Sequence, residues 1–387
     1  MKTIERLSDS QRRHSLAAVI LHMMGVGLTL GLAFPLTSLT LQGWGASEWV
    51  IGVAGAMSPL AVLLLMPVLP RLASRLGAIR AMLIGCALAA SALLAMYWLP
   101  SVPAWIAARF VLGAGLALPW LVGDVWINTV AEERSRGKVI AAYAASFFAG
   151  FAAGPLLLDW IGIGGLAPHL AGVAALALAV LPLAWVRHLA PAIELDAASG
   201  LFAAVKAVPV AATGAFLSGF TEGVAFTLAP VWGLEIGYSP ALALRLLSVF
   251  IVGGIVLQVL SGAVADKWDR QRLLVVAGAG LTLICIWLYL APGVADFTLS
   301  FAAGGLVLAL YSLSLTLLGQ SFRPSQLAMA SAAFLILYQL GSMAGPVLAG
   351  LLMEELGASG YLLALGLAGA LMAAVAAVNK PRLQQAA

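Results

Sequence analysis

Long apolar runs, broken by short charged or Pro/Gly-rich stretches, dominate the 387-residue chain. Cutting at the breaks leaves twelve runs, at about residues 15–41, 47–70, 78–99, 104–129, 138–160, 167–187, 207–233, 241–264, 273–292, 296–320, 327–353 and 359–379. Each holds roughly 20 or more mostly apolar residues, the length of a helix that crosses the hydrocarbon core of a bilayer. The pattern predicts an all-α integral membrane protein with 12 transmembrane helices. The first run, about Leu16 to Leu41, is too long for the core of a signal peptide and reads as an uncleaved helix.

Composition supports the pattern. Apolar residues make up 63% of the chain and charged residues 9%, against about 25% charged in a soluble domain. Most of the 41 glycines and 18 prolines lie inside the apolar runs, where transmembrane helices tolerate them. Cys86 and Cys285 also fall inside apolar runs, so neither a disulfide nor a metal cage is expected. The excess of 20 Lys and Arg over 16 Asp and Glu is explained by placement. With a cytoplasmic N-terminus, 18 of the 20 basic residues fall in cytoplasmic segments. The opposite loops carry only the acids Glu48, Asp159, Glu235, Asp296, Glu354 and Glu355. That is the positive-inside distribution, with no need for a nucleic-acid partner, and it puts both termini in the cytoplasm.

Local patterns recur at an offset near half the chain. Gly150-Phe-Ala-Ala-Gly154-Pro155 in the fifth run returns 191 residues on as Gly341-Ser-Met-Ala-Gly345-Pro346 in the eleventh. Gly113 with Leu116-Ala117-Leu118 returns 192 residues on as Gly305 with Leu308-Ala309-Leu310, and Arg75 is matched by Lys267 at the same offset. Two six-helix bundles are therefore expected, at 1–187 and 207–387. Residues 188–206, with Pro191, Glu194, Asp196 and Lys206, form a cytoplasmic linker between them.

With these features the chain resembles the major facilitator superfamily over essentially its whole length. The family's loop signature reads here as Gly262-Ala-Val-Ala-Asp266-Lys267-Trp268-Asp269-Arg270-Gln271-Arg272, with Asp269 in place of the second Gly. The first-half copy, Pro70-Arg-Leu-Ala-Ser74-Arg75-Leu76-Gly77, has Ser where Asp is expected. Arg109-Phe-Val-Leu-Gly113 is similar to the fourth-helix motif, and Gly150 to Pro155 to the fifth-helix motif associated with antiporters. Gly123-Asp124-Val-Trp126-Ile-Asn128 followed by Arg136-Gly137-Lys138 is similar to small bacterial YcaD-like transporters. The resemblance implies two pseudo-symmetric bundles in a bacterial inner membrane. It also implies a cytoplasmic latch of Arg75, Asp124, Asp266, Lys267, Arg270 and Arg272, and a part for Arg109 in proton coupling.

Ionisable groups inside a bilayer are costly, so each is a functional candidate. Glu222 lies about mid-run with no opposite charge within two turns. Desolvation disfavours its charged form, as a proton-coupling site requires; the alternative is a structural acid held by a neighbouring helix. Phe226 shares its face at i+4, and an acid beside aromatics can receive a lipophilic cation. Asp124, about two turns from its inner helix end, is read as the latch acid, with a coupling acid or a solvated end charge as alternatives. Arg109 is about 22 Å from Asp124 by helix rise and either couples protons or snorkels to the interface; Arg245 is nearer the surface. His22 is read as a packed, hydrogen-bonded residue rather than a proton relay or copper ligand. Gly150, Gly154, Pro155, Gly341, Gly345 and Pro346 are expected to be helix-interface and rocking elements, because small residues four apart admit close backbones and Pro can bend a helix. Trp120, Tyr338 and Gln339 join Phe226 as candidates to line a central cavity.

The expected function is secondary transport by alternating access, driven by protons, exporting small amphipathic or cationic compounds. Lipid or lysolipid flipping and proton-coupled import of a small metabolite are the alternatives. No phosphate-binding glycine loop, catalytic constellation or metal-ligand spacing is present in the sequence, so no cofactor and no enzyme activity are expected. The expected partners are a small-molecule substrate, protons and the lipid bilayer, with the protein working as a monomer.

Overall fold

The computed structural model describes residues 7–192, 208–265, 268–322 and 324–379. Its helices are α1 (Asp9–Gly43), α2 (Glu48–Leu65), α3 (Leu69–Leu76), α4 (Ala78–Trp98), α5 (Val102–Val130), α6 (Arg136–Ile161) and α7 (Ala167–Trp185), then α8 (Pro209–Glu235), α9 (Pro240–Ala265), α10 (Arg270–Leu290), α11 (Asp296–Ser321), α12 (Pro324–Leu356) and α13 (Ala358–Val378). Each of the twelve apolar runs forms one long helix, and the described residues contain no strand. Lipid offers no hydrogen bonds, so a spanning segment must satisfy its own backbone, and the helix does so.

Two short pieces occupy the breaks. α3 is amphipathic: Leu69 and Ala73 are buried while Arg71 and Arg75 are exposed. Gly77 ends it at φ +76°, a conformation that favours glycine, and α4 begins at the next residue. Arg187–Leu189 form a single 3-10 turn after α7; the linker beyond residue 192 lies outside the described residues. Asp269, which departs from the loop signature, has a local reason: its Oδ1 accepts a hydrogen bond from the Arg272 backbone N–H at 2.8 Å and caps α10.

Eleven of the described helices are long and apolar enough to cross a membrane. The remaining long helix, α8, falls short of that apolarity because it carries Ser218, Thr221, Glu222 and Thr227. Those polar groups are hidden from lipid: twenty of its twenty-seven residues are buried, these four among them.

By packing, the chain divides into two units: the described residues of 1–37 and 60–196 form one, and those of 38–59 and 197–387 the other. Residues 38–59 thus belong with the second unit, although the repeat would group them with the first half. Glycine contacts account for it. A Cβ on Gly52 would lie 2.1 Å from the Pro346 carbonyl oxygen, and one on Gly350 2.4 Å from that of Glu48.

Within each unit one helix crossing is built the same way. In the first, a Cβ on Gly27 or Gly31 of α1 would lie 2.0 Å from the carbonyl oxygen of Phe147 or Phe151 on α6. From the other side, Gly150 abuts the Met24 carbonyl and Gly154 the backbone of Gly31. In the second, Gly219 of α8 abuts the Tyr338 carbonyl and Gly341 of α12 abuts that of Phe216, each with a Cβ distance of 1.9 Å. Gly345 meets Phe220 in the same way. Only glycine allows backbones this close. Around α8 the core continues through Leu217, Leu274, Leu310, Leu313 and Met372.

Candidate functional site

The close α8–α12 crossing sets the geometry around Glu222. Its side chain is 5% exposed, and the Tyr338 hydroxyl of α12 donates a hydrogen bond to Glu222 Oε2 at 2.8 Å. Tyr338 is held edge-on by Tyr311 of α11, with ring centroids 5.3 Å apart, and Tyr311 meets Phe334 at the same distance. Thr221, beside Glu222, turns its hydroxyl inward to the backbone carbonyls of Leu217 and Ser218. The acid therefore accepts from the Tyr338 hydroxyl and has an aromatic wall beside it. Phe226, one turn on, is buried and packs edge-on against Phe250 at 6.3 Å. Gln339 is half-buried.

The first unit carries Arg109 and Asp124. Arg109 is fully buried, with its guanidinium carbon 4.3 Å from the centre of the Phe34 ring. It does not reach the surface. Phe34 meets Phe151 edge-on at 6.1 Å, Phe151 stacks with Phe147 at 5.8 Å, and Phe147 meets Trp120 edge-on at 4.7 Å. Asp124 faces the Tyr143 hydroxyl and the Trp120 indole. His22 is buried, with Nδ1 3.0 Å from the Ala179 carbonyl oxygen. Arg245 is exposed.

Of the residues expected at the cytoplasmic latch, Arg75 and Arg272 are exposed, Arg270 is half-buried, and Asp266 and Lys267 lie outside the described residues. The ion pairs found among the described residues join Arg12 and Arg134 to Glu132, and Arg136 to Glu133. Near the same end of the first unit, the Trp126 indole donates to the Ser15 hydroxyl at 2.8 Å. At the opposite helix ends of the second unit, the Tyr238 hydroxyl donates to Asp296 Oδ2 at 2.7 Å. Burial, then Asp296, push the Tyr238 phenol up to about 12. Burial and the neighbouring Glu48 carboxylate push Glu235, past the predicted end of its span, up to about 7.

Tyr311, Phe334, Tyr143 and Phe147 were not marked by sequence reasoning. The internal repeat holds the signal that could have found three of them. Tyr143 and Phe147, one turn apart on α6, lie 191 residues before Phe334 and Tyr338, one turn apart on α12. No metal site is suggested: the described residues contain no group of three or more His, Cys, Asp or Glu side chains placed to hold an ion.

The sequence profile of the Major Facilitator Superfamily matches residues 16–309 and 211–386. The chain is 25% identical over 337 residues to the uncharacterized MFS-type transporter YfkF of Bacillus subtilis strain 168, covering 85% of this chain and 86% of that one. It is 28% identical over 254 residues to the uncharacterized MFS-type transporter YcaD of Escherichia coli O139:H28, covering 65% and 66% of the two chains. Among solved structures, a variant of the nucleoside transporter NupG superposes with a TM-score of 0.76 at 14% identity, covering 94% of this chain and 99% of that one. A D-xylose-proton symporter superposes with a TM-score of 0.66 at 18% identity, covering 92% and 96%. At these identities the structural likenesses show the fold. Taken with the profile match, they make the chain a member of the Major Facilitator Superfamily, a multi-pass membrane transporter and not an enzyme.

Proposed function

We propose that this secondary transporter exchanges protons for small amphipathic or cationic compounds and exports them by alternating access, with Glu222 as the coupling acid. The observation that carries this is the Tyr338–Glu222 hydrogen bond, made in buried and largely aromatic surroundings. A buried carboxyl can hold a proton or neutralise a cation, but not both, and that exclusivity is the basis of exchange. Tyr338, Tyr311 and Phe334 offer π faces to the same cation. Phe226, Gln339 and Trp120 are assigned to the lining, and Arg109 to the coupling machinery.

The moving bodies are taken as residues 1–187 and 207–387, although 38–59 pack with the second unit, joined by 188–206 and working as a monomer with both termini cytoplasmic. Gly150, Gly154 and Pro155 and Gly341, Gly345 and Pro346 are assigned as the helix-interface and rocking elements. Arg75 and Asp124, with Asp266, Lys267, Arg270 and Arg272, latch the cytoplasmic side in the state closed to the cytoplasm.

One observation favours a second reading, lipid or lysolipid movement. An almost wholly apolar groove of about 280 Å³ is lined by Ala212, Thr213, Phe216, Leu217, Leu337 and Leu371, and an acyl chain would suit it. Proton-coupled import of a small metabolite, the other alternative, would need substrate and proton bound together rather than in exchange. Ligand-induced shifts in melting temperature separate these, because a ligand of the native state raises apparent stability by mass action. Lipophilic cations, organic anions, sugars and lysolipids would be screened at two pH values. Stabilisation by lipophilic cations, stronger at high pH and lost in Glu222→Gln, supports proton–cation exchange. Stabilisation by lysolipids alone overturns it.

A further inference from the structure

The α5–α6 pair of the first unit holds a second acid among aromatics, separate from the Glu222 site. Trp120 and Asp124 are one turn apart on α5, and Tyr143 and Phe147 are one turn apart on α6. The antiparallel helices set Trp120 edge-on to Phe147, with centroids 4.7 Å apart, and Asp124 against Tyr143. Asp124 is half-buried, and the ion pairs found among the described residues do not include it. Tyr143 and Phe147 are each 7% exposed, whereas Trp120 is 41% exposed and leaves the group one open side. A carboxylate bordered by an indole, a phenol and a phenyl ring is the chemistry that recognises an organic cation. It is poor chemistry for a bare metal ion, which needs several ligands where this site has a single carboxylate.

The internal repeat adds a second observation. Phe147 and Tyr143 stand at the repeat positions of Tyr338 and Phe334, the two aromatics that α12 brings to the Glu222 site. Each unit thus sets an aromatic pair one turn apart on equivalent helices beside an acid, which comes from α5 in the first and α8 in the second.

We infer that Asp124, Trp120, Tyr143 and Phe147 form a second binding station for an organic cation, on the side of the first unit that the proposed orientation turns to the cytoplasm. The inference rests on the proposed cation transport and adds to it a site of capture. Asp124 cannot hold a cation and latch to Arg75 at once, so closing the latch expels the cation from this station.

The test measures tetraphenylphosphonium binding to the purified full-length protein by equilibrium dialysis. Asp124→Asn is expected to weaken binding at one of the two sites about tenfold and Trp120→Leu severalfold, leaving the Glu222 site intact, while Trp120→Phe stays within about threefold of wild type. Melting temperatures without ligand check the folding of each variant, and the Trp120 pair reports on the site if Asp124→Asn does not fold. Arg75→Gln breaks the latch alone and, by removing the group that competes for Asp124, is expected to tighten binding. Unchanged affinity in Asp124→Asn or Trp120→Leu overturns the inference and leaves the proposed function standing. Equal losses in Asp124→Asn and Arg75→Gln also overturn it, because Asp124 would then act only through the latch. A wild-type protein that binds no tetraphenylphosphonium overturns both.

Discussion

Tyr338 reaches from α12 to α8 to hydrogen-bond Glu222 at 2.8 Å, and the two helices touch through glycine on either side of that contact. The hydroxyl fixes where the carboxylate sits. Removing it with Tyr338→Phe keeps the ring against Tyr311 but deletes the bond. A hydrogen bond to a charged group is worth about 1.5–3 kcal/mol, so transport of a lipophilic cation into vesicles is expected to slow by about tenfold or more. A variant with wild-type rate would show that the hydroxyl does not position the acid.

The glycine seam gives a graded prediction for stability. A Cβ at Gly219 or Gly341 would sit 1.9 Å from a backbone carbonyl oxygen, whereas one at Gly319 meets nothing within 4 Å. Overpacking costs about 1–3 kcal/mol, so Gly219→Ala and Gly341→Ala are expected to lower the melting temperature by several degrees. Gly319→Ala is expected to hold it or raise it slightly, since alanine is the better helix former. Equal effects at all three would contradict the close crossing.

A third prediction concerns the helix ends of the second unit. The Tyr238 hydroxyl ties the α8–α9 connection to Asp296, which is 2% exposed and also accepts from the Gly293 backbone N–H. Tyr238→Phe removes one donor from a buried carboxylate, an expected loss of about 1.5–3 kcal/mol, read by thermal or denaturant unfolding. No loss would mean that the bond is absent from the protein in its membrane or detergent.

Glu235 sets a pH dependence nearby. Partial burial and then Glu48 push its carboxyl up from 4.5 to about 7. Between those values the folded state binds more protons than the unfolded one, so this group's contribution to stability falls as pH rises from about 4.5 through about 7. Glu235 is solvent-exposed, which screens the effect and keeps it small. Glu235→Gln is expected to flatten the melting temperature over that window relative to wild type. A steeper profile in the variant would reverse the sign of the account.

Much of this was legible in the sequence because apolar length is a one-dimensional property: all twelve runs became long helices. α3 was not, since its eight residues alternate Leu with Arg and Ser inside a basic break and read as a loop. Glu222 stood out as an acid alone in an apolar run. Tyr338 was named beside it only as one of several cavity candidates, because which side chain meets the acid depends on the glycine-set distance between α8 and α12. Asp124 shows the same limit. The family resemblance offered Arg75 as its partner, whereas the i−4 neighbour Trp120 and the α6 residue Tyr143 that border it depend on how α5 and α6 pack. Residues 38–59 joined the second unit through contacts at Gly52 and Gly350 that no local pattern announced.

The most direct measurement of proton exchange at Glu222 is proton release on binding. Purified protein in weak buffer near neutral pH would be titrated with tetraphenylphosphonium while a pH indicator follows released protons. Wild type is expected to release protons as the cation binds, and Glu222→Gln to release markedly fewer. Binding of the cation to wild type with no proton release, or with equal release from Glu222→Gln, would contradict the assignment of Glu222 as the coupling acid.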